Sequence, residues 1–181
     1  MIFLFVQYNL YGQTFIVKSM DNGKIVDKVF PDEFRKGGLN LTDDFPDFEY
    51  YDINGDNINL SDLKDKLLVI NYWFVGCVGC KQEEPYLKKL TDIFKDNSEI
   101  SFMSFCNSQP EKARRYIEKS GHFGYKVIPF KSKKIISDKF KVKTYPTHMI
   151  VKNGKIVETF TFPLTTDDEL NWYVERIRKE L

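Results

Sequence analysis

The chain reads as an α/β protein with one mixed sheet covered by helices on both faces, and three observations lead there. The run Leu67-Leu68-Val69-Ile70-Asn71-Tyr72-Trp73 is nearly all apolar and has the length of a central parallel strand buried on both faces. From there to the C-terminus, short strand-like runs alternate with segments of helical period. Asn54-Gly55 and Asn153-Gly154 each sit between strand-like runs and mark tight antiparallel turns.

Taken in order, the chain opens on the strongly apolar Met1-Ile2-Phe3-Leu4-Phe5-Val6, which relaxes through Leu10-Tyr11-Gly12-Gln13 into polar sequence. Residues 1–13 read as the remnant of a secretory signal peptide lacking its charged start, since the first lysine is Lys18. The competing reading is a first β-strand running through Thr14-Phe15-Ile16-Val17. Residues 14–44 form an N-terminal extension in which Asp21-Asn22-Gly23-Lys24 predicts a small β-hairpin. Gly37-Gly38 and Asp43-Asp44 predict a flexible lead into the main domain, residues 45–181. That domain begins with a second hairpin, from Phe45-Pro46-Asp47-Phe48 through the Asn54-Gly55 turn. A short helical segment, Leu60 to Leu63, follows, with Ser61-Asp62 available to cap it.

After the central strand, a helix is expected from Cys77 to about Asp96, with Leu87, Leu90, Ile93 and Phe94 on its apolar face. Pro85 lies inside it and should kink it, because proline supplies no N–H and crowds the preceding turn. Ile100 to Phe105 predicts a strand, and Pro110 to Ser120 a helix with Glu111, Lys112, Arg114 and Arg115 on its wet side. Tyr125 to Phe130 reads as an inserted strand and Lys134 to Phe140 as a short helix. Met149-Ile150-Val151 and Ile156-Val157 flank the Asn153-Gly154 turn. Asp167 to Leu181 reads as a final helix, opened by Thr165-Thr166-Asp167 with Glu169 placed for a capping box.

Hydrophobic residues make up 42% and aromatics 15% of the 181 residues, enough for a substantial core and too many for a disordered chain. The formal net charge is +1, and no basic stripe is present that would neutralise a phosphate backbone, which argues against nucleic acid as a partner. No internal run approaches the roughly 18 apolar residues of a membrane span, so a membrane could be met only through an N-terminal signal or anchor. Three cysteines are too few for a disulfide scaffold.

Two of the three form Cys77-Val78-Gly79-Cys80. A strand that ends in such a pair and feeds a helix sets the first thiol at the positive end of the helix dipole. The second sits one turn deeper, close enough to form a disulfide with it. This predicts thiol–disulfide exchange: a Cys77 thiolate attacks a partner disulfide, and Cys80 then attacks the Cys77 sulfur and releases the reduced partner. The chemistry needs no metal or organic cofactor beyond the redox-active Cys77–Cys80 pair. Half of a zinc site is the alternative, and it would need two further ligands. Only Cys106, His122 and His148 remain, and none forms a pair at metal-ligand spacing. Cys106 reads as a small buried residue at a strand end, or else as a third redox participant on the face where parallel strands end. His148 reads as a strand residue or as a group near the dithiol, and His122 as a solvated loop residue.

Asn71-Tyr72-Trp73-Phe74-x-x-Cys77-x-x-Cys80-x-x-Glu83-x-Pro85, followed much later by Thr144-Tyr145-Pro146-Thr147, resembles the active-site segments of thioredoxin-fold proteins. Within them it is similar to the TlpA/ResA-like thiol–disulfide oxidoreductases of the redoxin (AhpC/TSA) superfamily. The resemblance covers roughly residues 45–160. It implies a thioredoxin-like fold, with Cys77 as the exposed attacking thiol, Cys80 as the resolving thiol, and Pro146 as a cis-proline beside the dithiol against which an extended substrate pairs. It places an acidic residue, Glu83, near the dithiol. Asn71 stands where cytoplasmic thioredoxins carry a buried aspartate, which leaves Glu83 as the candidate proton acceptor. Phe74, Gly76, Val78, Gly79 and Tyr145 would line the groove that receives the partner.

The resemblance further implies protein disulfide or dithiol substrates, an electron-donor oxidoreductase, and a periplasmic or otherwise extracytoplasmic setting, with the cytoplasm as the alternative. Partners compatible with it include apo-proteins of cytochrome c maturation, other oxidoreductases and general secreted proteins. Members usually carry a proline between the two cysteines, where this chain has Val78 and Gly79, so the redox potential is not legible. Two other activities remain to be weighed. A peroxiredoxin would carry Pro-x-x-x-Thr/Ser-x-x-Cys, and the segment before Cys77 has neither the proline nor the hydroxyl residue. A copper chaperone would use the thiolates as soft ligands, but such proteins tend to space their cysteines by three and add a distal histidine.

Overall fold

In the computed structural model, residues 15–21, 24–30, 37–121 and 123–181 are described, the first two stretches by their backbone. The expectations for residues 1–13 and for His122 lie outside the described residues. The elements run β1 (Phe15–Asp21), β2 (Lys24–Phe30), β3 (Glu49–Tyr51), β4 (Asn57–Asn59), a 3-10 turn (Leu60–Leu63), β5 (Leu67–Trp73), α1 (Val78–Ile93), β6 (Ile100–Cys106), α2 (Pro110–Ser120), β7 (Lys126–Pro129), α3 (Lys133–Lys139), β8 (Thr147–Lys152), β9 (Lys155–Phe160) and α4 (Asp167–Glu180). β1 and β2 pair as an antiparallel hairpin, as do β3 and β4.

The main sheet has the order β7-β6-β5-β8-β9. β5 runs parallel to β6 and antiparallel to β8, so the sheet is mixed about its central strand. All seven residues of β5 are buried, and each large apolar side chain so placed contributes roughly 1.5–3 kcal/mol. Its side chains alternate between two cores. Leu67, Val69 and Trp73 join Leu87 and Leu90 of α1, Ala113 and Ile117 of α2, and Leu170, Tyr173 and Ile177 of α4. Leu68, Ile70 and Tyr72 join Ile136 of α3 and the aromatics Phe45, Phe48, Phe105, Phe130 and Phe140. Helices therefore cover both faces, in the thioredoxin-like arrangement.

Several local expectations need correction. α1 ends at Ile93, which is 46% exposed, while Phe94 after it is buried; the apolar stripe therefore passes through Leu87, Leu90 and Phe94 and leaves Ile93 in solvent. Pro85 does lie inside the helix, as expected, at an exposed position in its second turn. The 3-10 turn is capped by Asn59, whose side chain accepts the Ser61 N–H at 2.9 Å, and not by Ser61-Asp62. Gly37-Gly38 is no loose connector. A Cβ on Gly37 would stand 2.5 Å from Thr161 Cγ2, and Gly38, at φ 106°, approaches Met149 and the Phe140 carbonyl as closely. Beyond it, Thr42 donates to the Ile156 carbonyl and Ile156 to the Asp43 carbonyl, so residues 37–44 lie against β8 and β9. The glycines mark close approach of backbone here, which sequence alone does not distinguish from flexibility. At the C-terminus, Thr166 and Glu169 form the expected capping box on α4.

Candidate active site

β5 delivers the chain to the end of the sheet at Trp73, and a short loop turns it into α1. The loop is held from several sides. Cys77 N–H donates to the Phe74 carbonyl at 3.2 Å, Val75 N–H to Ser108 Oγ at 3.0 Å, and Asn107 N–H to the Trp73 carbonyl at 2.7 Å. Gly76 takes φ 103°, a left-handed conformation that a side chain would strain. Cys77 is then the N-cap of α1, and its sulfur accepts the Cys80 N–H at 3.2 Å.

The two cysteines form a disulfide, with Cα atoms 5.3 Å apart. Cys77 is 8% exposed and Cys80 4%. The attacking thiol expected to be exposed is thus only slightly the more accessible of the two while the pair is oxidised. The rim is more open. Val78 is 73% exposed and Phe74 37%, and Phe74 meets the Tyr145 ring edge-on at 5.4 Å. Asn107 Nδ2 donates to Tyr145 Oη at 2.7 Å. The Tyr145–Pro146 peptide bond is cis. Gly79 faces Pro146 and Pro163, so the α1 terminus, the loop before β8 and the loop before α4 converge on the dithiol.

Glu83 lies one turn beyond Cys80 along α1 and is fully buried. Asn71 Nδ2 donates to its Oε1 at 2.9 Å, and the Leu164 N–H donates to its Oε2 at 3.3 Å. His148 Nε2 lies 3.0 Å from the same Oε2. Asn71 and His148 are directly paired across β5 and β8, which is why both reach the α1 face of the sheet. The sequence placed Asn71 and Glu83 in this region. It did not identify Leu164, Pro163 or Asn107, whose positions depend on loop packing, and it left the role of His148 open. One signal was available for Asn71, the polar interruption of the otherwise apolar run Leu67–Trp73, whereas His148 stands beside Thr147 at the start of β8 and carries no such mark.

Cys106 ends β6 opposite Trp73 in register and is fully buried. Burial pushes its thiol up to about 12, only partly offset by a hydrogen bond with Ser108. It is a thiol, not a thiolate, at neutral pH. Burial likewise raises the Tyr145 phenol, against the lowering effect of its bond from Asn107. Among the described residues, no cluster of three or more His, Cys, Asp or Glu side chains is arranged to hold a metal ion, and no helix is long and apolar enough to cross a membrane.

Comparison with known proteins agrees with this geometry. The AhpC/TSA family model matches residues 41–159. The thiol-disulfide oxidoreductase ResA of Bacillus cereus is 28% identical over 143 residues, 78% of this chain and 81% of the relative. The ResA protein of Bacillus subtilis is 28% identical over 131 residues, 72% of each chain. Among solved structures, the thioredoxin domain of a thiol-disulfide oxidoreductase from Bacteroides vulgatus superposes with a TM-score of 0.64 at 24% identity, covering 77% of this chain and 99% of that one. A thiol:disulfide interchange protein of the thioredoxin family from Chlorobium tepidum gives a TM-score of 0.62 at 17% identity, covering 78% and 97%. At these identities the structural likeness establishes the fold.

Proposed function

The chain belongs to the AhpC/TSA family and is a thiol–disulfide oxidoreductase, and from that premise we propose that it exchanges its Cys77–Cys80 pair with disulfides or dithiols of protein partners outside the cytoplasm. One observation carries the chemistry: the pair is closed at the N-terminus of α1, with Cys77 sulfur already accepting the Cys80 N–H. On reduction, that N–H and the helix dipole favour the Cys77 thiolate, the species that attacks.

In the reducing direction, Cys77 thiolate attacks a partner disulfide, forming a mixed disulfide and releasing one partner sulfur as thiolate. Cys80 gives up its proton to Glu83 and attacks the Cys77 sulfur. The internal disulfide forms, the second partner thiolate leaves, and two electrons have passed to the partner. An electron-donor oxidoreductase would then reduce the pair for the next cycle. Phe74, Val78, Gly79 and Tyr145, with Gly76 at the turn, line the approach, and Pro146 offers backbone beside the dithiol to an extended segment of the partner. The extracytoplasmic setting rests on the family resemblance.

Equilibration with glutathione or dithiothreitol tests this reading. A potential near about −270 mV assigns the protein as a reductant and one near about −120 mV as an oxidant. The absence of any redox equilibrium would overturn the activity. Cys80→Ala should accumulate mixed disulfides through Cys77, and the trapped proteins identify the partner, whether a cytochrome c apo-protein, another oxidoreductase or a secreted protein.

A further inference from the structure

We propose that His148 is a positioning residue of the dithiol chemistry: held against Glu83 beneath α1, it orients that carboxylate to accept the Cys80 proton. The inference rests on the reading of Glu83 as proton acceptor and adds a residue to it.

Glu83 and His148 are both fully buried and meet at 3.0 Å. The other two groups on the carboxylate, Asn71 Nδ2 and the Leu164 N–H, can only donate. Among the described residues, His148 Nδ1 has no hydrogen-bond partner. A proton on Nδ1 would leave a buried N–H unpaired, a cost of roughly 1–3 kcal/mol. The tautomer with the proton on Nε2 avoids this and gives Glu83 a third donor. The ring cannot swing away. It stacks on Phe160 at 4.4 Å and meets Tyr173 edge-on at 5.6 Å. Asn71 holds Oε1, while His148 and Leu164 hold Oε2, so three elements fix the carboxylate one turn from Cys80. With His148 removed, Oε2 keeps only the long Leu164 contact and Asn71 alone holds the carboxylate closely, so its orientation is less tightly fixed.

Among the described residues, the titratable groups around the pair are Cys80 and Glu84 on α1, Tyr125 ahead of β7 and Tyr173 on α4, with the Glu158–Arg176 ion pair beyond it. Burial lifts Tyr125 and Tyr173 well above the ordinary phenol range, so neither exchanges a proton near neutrality. Glu84 is raised by burial and turned toward the Tyr116 hydroxyl.

Reaction of the reduced protein with an aryl disulfide separates the steps. The first aryl thiolate is released by Cys77 attack and the second by Cys80 attack on the mixed disulfide. In His148→Phe, which keeps the ring stacking and removes the donor, the second release should slow roughly tenfold near neutral pH. It should rejoin the wild type in alkali, where Cys80 ionises without help, and the first release should be unchanged throughout. His148→Gln, which restores an N–H donor, should recover most of the rate. Isotope-labelled histidine spectra of the wild type should place the proton on Nε2, a readout independent of how any variant folds. A proton found on Nδ1 overturns the proposal. So does an unchanged second release in His148→Phe beside a slowed one in Glu83→Gln, which leaves the Glu83 reading standing. If Glu83→Gln is also unchanged, the Glu83 reading fails and takes this one with it. Equal slowing of both releases at every pH would indicate a general structural role and overturn the assignment.

Discussion

Gly79 lies against Pro146, so that a Cβ built on the glycine would stand 3.4 Å from the proline Cδ and 3.6 Å from Pro163 Cγ. These are ordinary van der Waals separations. Gly79 also sits in the first turn of α1, where glycine is entropically costly. Gly79→Ala should therefore stabilise the oxidised protein by about 0.5–1 kcal/mol, measured by urea unfolding. A loss of stability would mean that the three converging segments have no room for a methyl group.

The buried Cys106 makes the fold sensitive to alkali. In the unfolded chain it ionises near its ordinary value of 9.0, whereas in the fold it stays protonated to about 12. Its contribution is whole below about pH 9 and is lost as pH rises toward about 12, because the unfolded state then binds fewer protons. Tyr72, Tyr125 and Tyr173, raised well above 10.0 by burial, act in the same direction at higher pH. Stability measured from neutral pH upward should fall progressively, and Cys106→Ala should flatten the onset. At neutral pH, iodoacetamide should label the reduced native protein first at Cys77 and reach Cys106 only after denaturation.

Thr166 opens α4 by accepting the Glu169 N–H at 3.3 Å, and the Glu169 carboxylate accepts the Thr166 N–H at 3.0 Å. Thr166→Ala should cost about 1 kcal/mol and Thr166→Ser much less, as read from chemical unfolding midpoints. Because α4 follows the loop whose Leu164 N–H reaches Glu83, the alanine variant also tests whether loosening this end alters the rate of Cys80 attack.

Arg176 Nε donates to Glu158 Oε2 at 2.7 Å, with Glu158 almost wholly buried. Truncating Arg176 takes the opposite charge away from a buried carboxylate, which keeps the Thr159 N–H at 3.1 Å. Arg176→Ala should cost on the order of 3 kcal/mol, seen as a large fall in the urea midpoint. The double substitution Glu158→Met with Arg176→Met should recover much of it.

Much of the fold is readable because burial on two faces leaves a plain mark. Leu67 to Trp73 could hardly be anything but a central strand, and Asn153-Gly154 could hardly fail to turn a hairpin. Errors came where a residue's partner is distant in sequence. Ile93 fits the apolar period of α1 and still faces solvent, because the stripe's last turn is taken by Phe94. Gly37-Gly38 carries the composition of a loose connector and is in fact wedged against Thr161 and Met149.

The same division holds at the dithiol. By itself the sequence determined the reactive pair, the strand before it and the helix after Cys77, because short-range spacing and helix geometry dictate these, while Pro146 beside the dithiol was legible only through the family resemblance. Only the tertiary structure decided what surrounds Glu83. The pairing of Asn71 with His148 across β5 and β8, and the arrival of the Leu164 N–H from the loop before α4, arise from strand register and loop packing between residues as many as 81 positions apart. A buried carboxylate needs donors from several directions at once, and no local pattern of residues records which distant segments will supply them.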